Sequence, residues 1–132
     1  MININGKKYK IITKTIKFQN EIYNKVNGYF PTIHIRFINK DIEGYIMFDL
    51  EFCNTKDFNN IINKKYIGNP SDFNSKVSCV EIFDTEKFID YVDSDVYFEL
   101  RNIVDNGIEC QLKIDDSAIK LEFEGELDIA SD

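Results

Sequence analysis

The chain has 132 residues, of which 43% are apolar and 30% charged. That balance fits one globular domain, 1–132, and excludes a disordered or fibrous chain. Its net charge of −7 argues against nucleic acid as the main partner, and the absence of a long apolar run or a signal-peptide-like start predicts a cytoplasmic location.

Asn5-Gly6 carries hairpin chemistry, because both residues tolerate positive φ. It joins a short strand at Ile2–Ile4 to one running from about Lys8 to Phe18. Asn27-Gly28 is expected to break the chain next. Ile33, Ile35 and Phe37 then alternate with Thr32, His34 and Arg36, which places one face inward and one outward. After a turn at Asn39-Lys40-Asp41, the apolar series Ile42, Ile46, Phe48, Leu50 and Phe52 alternates with Asp41, Glu43, Tyr45, Met47, Asp49 and Glu51.

A helix is expected from Asn54 or Thr55, with Asp57 at its positive end. Phe58, Ile61, Ile62 and Tyr66 fall on one side at helical spacing, and Gly68 and Pro70 end it. Lys76–Phe83 reads as extended. A second short helix is expected from Asp84, with Phe88, Ile89 and Val92 on one side. Val96, Phe98 and Leu100 alternate with Tyr97, Glu99 and Arg101. Asp105-Asn106-Gly107 turns into Ile108–Ile114, and Asp115-Asp116-Ser117 turns again. The last strand sets Ile119, Leu121, Phe123, Leu127 and Ile129 against Glu122, Glu124, Glu126 and Asp128, with Gly125 marking a bend or bulge. The fold class expected is α+β and mainly antiparallel β. About eight strands form a curved sheet or β-sandwich, with two short helices over an end or edge.

Charge is unevenly spread. Residues 1–40 hold eight Lys or Arg and one acid, whereas residues 41–132 hold eight Lys or Arg and 22 acids. The acids of the last strand share one face, about 6.6–7 Å apart along the chain. Pairing with Lys7, Lys8, Lys10, Lys14 and Lys17, plain solvation, and recognition of a basic partner are all open to them. The hairpin acids Asp41, Glu43, Asp49 and Glu51 extend such a surface, and Tyr45 and Tyr97 supply the aromatic character favoured at interface centres.

Chemistry-bearing motifs are sparse. Cys53, Cys79 and Cys110 show no metal-ligand or disulfide spacing and read as buried thiols. His34 is the only histidine and has no nucleophile at a recognisable spacing. Asp93-Ser94-Asp95 and Asp115-Asp116 read as turns before metal ligands. No phosphate loop occurs, and no cofactor or metal is expected.

Taken together, the Ile33–Phe37 alternation, the Asp41–Glu51 hairpin, the Asp84–Val92 segment and the acidic last strand resemble the small acidic immunity proteins that Gram-positive bacteria encode against polymorphic or contact-dependent toxins. The resemblance implies a one-to-one complex that blocks a toxin's active site. The function expected is that of a cytoplasmic protein-binding module without catalysis, binding a basic protein. The partner-binding residues would be Asp41, Glu43, Tyr45, Asp49, Glu51, Tyr97, Glu122, Glu124, Glu126 and Asp128. The alternative is a small-ligand-binding β domain or small enzyme with a sheet-lined pocket.

Overall fold

The computed structural model describes residues 2–23, 26–40, 42–50, 56–69, 78–84, 88–89, 96–115 and 119–130. Among these residues ten strands run in chain order: β1 (Ile2–Ile4), β2 (Lys7–Tyr23), β3 (Val26–Asn39), β4 (Ile42–Asp49), β5 (Lys64–Gly68), β6 (Ser78–Asp84), β7 (Phe88–Ile89), β8 (Val96–Val104), β9 (Gly107–Asp115) and β10 (Lys120–Ile129). All belong to one sheet, ordered β5-β8-β9-β10-β1-β2-β3-β4-β6-β7. Neighbours run antiparallel; the exception is a parallel contact beyond the end of β1, where Asp128 and Ile129 of β10 meet Thr15 and Ile16 of β2.

The turns follow the sequence chemistry. Asn5 and Gly6 take φ of 52° and 83°, and Lys40 and Asp105 take 55° and 54°. These left-handed values suit tight hairpins whose twist matches the strands they join. Pro31 sits inside β3, where a missing N–H is costly. Its carbonyl accepts from Leu50 N, so its nitrogen faces the β4 side, where the ladder has ended at Thr32–Asp49.

The expected α+β class with two short helices is overturned: the described residues contain no α-helix, only a single 3₁₀ turn at Phe58–Asn60. Asp57 does cap that turn, accepting from Asn59 N. Asn63 then reverses the chain at φ 59°, and Tyr66 enters β5 opposite Phe98. The apolar spacing that suggested one helix mixes a single turn with a strand. Of the second expected helix, Asp84 closes β6, and Phe88 and Ile89 pair back onto Phe83 and Ile82; Val92 lies outside the described residues. Asn27-Gly28 is no break either, because both residues lie inside the β2–β3 ladder. Gly125 makes no bulge, since β10 keeps register with β9 through Gly125–Cys110. A Cβ there would meet the Phe123 ring at 3.3 Å, so the glycine leaves room for that ring.

Alternation along the strands builds one core. Ile2, Ile16, Ile33, Ile35, Phe37 and Ile46 from β1–β4, and Phe98, Leu100, Ile108, Leu112, Leu121 and Phe123 from β8–β10, belong to a single buried cluster. Because residues from both ends of the strand order share this cluster, the sheet curves so that one face packs on itself. Each large side chain so buried contributes on the order of 1.5–3 kcal/mol. The segment between β4 and β5 fastens the roll. Phe58 packs on Phe18 of β2 with ring centroids 4.6 Å apart, and Lys56 Nζ lies 4.7 Å from the ring centre of Tyr29 on β3. Farther along, Asn63 N donates to Arg101 O of β8.

Candidate functional site

Because β8, β9 and β10 point Phe98, Leu100, Cys110, Leu112, Leu121 and Phe123 inward, the intervening residues share the outer face. Register sets them in rows. One runs Lys65, Glu99, Gln111, Glu124 from β5 to β10, and the next runs Ile67, Tyr97, Lys113, Glu122, Asn3, Lys8 and reaches β2.

Arg101 is the hub of this face. Its guanidinium donates to Gln111 Oε1 at 3.1 Å, Glu124 Oε1 at 3.2 Å and Glu99 Oε1 at 3.4 Å. One side chain thereby ties three strands, with the planar donor fork that suits several acceptors at once. Tyr97 OH donates to the other oxygen of Glu99 at 2.5 Å. That hydrogen bond is the main reason the Glu99 carboxyl sits below its ordinary range, with the Arg101 charge adding to it. The same bond holds the Tyr97 phenol above its ordinary value. Lys113 and Glu122, directly opposite one another, pair at 3.8 Å.

The other expected acids are placed as follows. Asp128 meets Lys14 at 3.4 Å, Glu43 pairs with Arg36 at 2.5 Å, and Asp49 accepts from Thr32 Oγ1 at 2.9 Å. Tyr45 lies 5.6 Å from the His34 ring. Asp41 and Glu51 lie outside the described residues, as do Asp93-Ser94-Asp95 and Asp116. The acids are thus spread over two regions of the outer face, β3–β4 and β8–β10, and most are engaged. Of the opening lysines named as possible partners, Lys14 alone among the described pairs meets an acid of β10; Arg101 and Lys113 hold two others.

Glu126 is different. It stands directly opposite Glu109 on the outer face, both are half-buried, and neither has an ion pair or hydrogen bond with a described residue. Like charges in that position are destabilising. The Glu126 side chain lies over Gly107, where an added Cβ would meet its Oε1 at 2.1 Å and its Cγ at 2.4 Å. Across β5 and β8–β10 the outer face sets seven acids (Glu99, Glu109, Asp115, Glu122, Glu124, Glu126 and Asp128) against Lys65, Arg101, Lys113 and Lys120. The surplus concentrates at Glu109–Glu126.

Sequence reasoning passed over Glu99, Arg101, Glu109 and Gln111. The available signal was alternation with Tyr97 and with the buried Cys110, together with the scarcity of arginine: Arg36 and Arg101 are the only two, and each grips a glutamate on the outer face.

His34 is half-buried. Burial, and then the charges of Arg36 and Lys17, hold its imidazole below the ordinary value. Cys110 is a buried free thiol pushed up to about 12 by its burial, which suppresses the reactive thiolate. The side chains of Cys53 and Cys79 lie outside what the structure describes. Among the described residues no group of three His, Cys, Asp or Glu could hold a metal ion, and no helix is long and apolar enough to cross a membrane. Comparison with protein-family models, curated proteins and solved structures finds no match.

Proposed function

We propose that the chain is a non-catalytic cytoplasmic module that binds a basic protein through the outer face of β8–β10, in the manner of an immunity protein neutralising a toxin. The observation that carries this reading is the Glu109–Glu126 pair. Two half-buried glutamates stand directly opposite in register, with no described cation on either, on a face whose other acids are held by neighbours. A lysine or arginine from a partner supplies the missing charge and relieves the repulsion as it docks.

The surroundings support the same reading. Tyr97, Glu99, Arg101 and Glu124 are linked by hydrogen bonds, so their side chains lose little further freedom on binding. Tyrosine and arginine are the residue types that dominate interface energetics. The acid surplus steers a basic partner and makes association fall with salt.

The test is affinity capture of the basic protein at low and at high salt, by the wild type and by Glu109→Gln/Glu126→Gln. A basic protein held by the wild type at low salt, and lost both at high salt and with the double variant, is the expected result. Capture that is indifferent to the double variant overturns the assignment of this face, and capture of acidic proteins alone overturns the reading as a whole.

A further inference from the structure

Three lysines near the start of β2 and in the β3–β4 turn differ from Lys14, which is paired with Asp128. Lys8, Lys10 and Lys40 line one open depression of about 480 Å³, together with Tyr9, Ile11, Ile38 and Asn39. Two elements bring them together. Lys8 and Lys10 lie two residues apart on β2, and Lys40 occupies the left-handed position of the β3–β4 turn. The turn is pinned to β2 by the Lys10–Ile38 pairing and by Asn39 Nδ2 donating to Lys8 O at 2.8 Å. All three lysines are exposed, and none forms an ion pair with a described residue. Along the row through Lys8 the first acid is Glu122, two strands and roughly 9–10 Å away, and Lys113 already holds it.

In a chain with 23 acids and 16 Lys or Arg, three exposed lysines around one depression, none with a described ion pair, make a locally positive patch that attracts an anion. We propose that this depression binds a small phosphate-bearing anion, a polyphosphate or a phosphate ester. The residue types select that class. Lysine acts as a mobile point charge suited to the several oxygens of a phosphate, whereas a planar carboxylate is best met by the arginine fork, which is missing from the lining. The volume falls in the range of small-ligand sites, and the isoleucines of the lining, Ile11 and Ile38, offer apolar contact to the organic part of an ester. The overall negative charge opposes a long nucleic acid, which would carry its phosphates past the acidic faces. This site is separate from the Glu109–Glu126 surface and stands or falls apart from it.

Pyrophosphate is the probe. Calorimetric titration of the full chain at constant ionic strength is expected to give saturable one-to-one binding. Lys10→Gln and Lys40→Gln should each weaken it about tenfold, the scale of one charge-assisted contact, while Lys64→Gln on the edge strand leaves it unchanged. In the wild type, pyrophosphate should also protect Lys8, Lys10 and Lys40 from acetylation, a reading that needs no variant to fold. Absence of saturable heat, affinity unaltered in the Lys10 and Lys40 variants, or uniform protection of all lysines overturns the proposal. Tighter binding of a hexaglutamate peptide than of pyrophosphate does so as well, in favour of an acidic protein segment.

Discussion

Single side chains on the outer face have distinct electrostatic fates, and two of these are measurable. His34 has its pKa lowered from an ordinary value near 6.5 by burial and by the nearby Arg36 and Lys17 charges. The folded state therefore binds a proton less readily than the unfolded state. The sign follows from linkage: stability is retained above the unfolded value and declines as pH falls through it towards the lower folded value. The urea midpoint of His34→Gln, measured from pH 7.5 to 5, should fall less steeply than that of the wild type; parallel profiles would falsify the placement of His34. Gly107 supplies the second case. Gly107→Ala drives a Cβ into the Glu126 side chain and should cost on the order of 1–2 kcal/mol. Adding Glu126→Ala removes the clashing atoms, so the double variant should be more stable than Gly107→Ala alone. Equal additive losses in a denaturant double-mutant cycle would show that the two residues do not touch.

At the scale of elements, period-two alternation is the legible signal for β4, β8 and β10, while the turn residues Asn5-Gly6 and Asn106-Gly107 mark β1 and β9. Ile33, Ile35 and Phe37, all buried, were readable because Thr32, His34 and Arg36 intervene. The expected helices failed for an identifiable reason. Phe58, Ile61, Ile62 and Tyr66 have helical spacing, but spacing cannot register that Asn63 turns left-handed and hands Tyr66 to a ladder with β8, where its hydroxyl donates back to Ile61 O at 3.0 Å. Local propensity yields to tertiary pairing over such short apolar runs. Asn27-Gly28 misled in the same way: a strong turn dipeptide is absorbed when long strands can pair across it. The acids of β10 were visible as a row, but their pairing was not. Whether Glu124 meets a cation depends on Arg101, 23 residues earlier in the chain, and that is fixed by strand order.

Strand order is also where the whole molecule escapes its sequence. β1 lies between β2, its hairpin partner, and β10 at the far end of the chain, with Ile2 opposite both Tyr9 and Phe123. The two halves of the sheet therefore meet at a seam made by the two ends of the described chain, and the core on either side is continuous only if that seam closes. Contacts so distant in sequence demand costly loop closure before they contribute, which predicts slow, cooperative folding. They also mean that β10 is structural as well as the carrier of the acidic row. Removing residues 119–132 strips Leu121, Phe123 and Leu127 from the core and leaves β9 and β1 as unprotected edges, which favour association. The truncated chain should lose its sigmoidal urea transition and sediment as aggregates, whereas Glu122→Gln/Glu124→Gln/Glu126→Gln, which keeps every buried residue, should remain a folded species of unchanged size. A truncated chain that still unfolds cooperatively would show that β1–β4 and β8–β9 hold together without the seam. In that case the outer acidic face would be an appendage to the fold, where the register now makes it one side of its central strand.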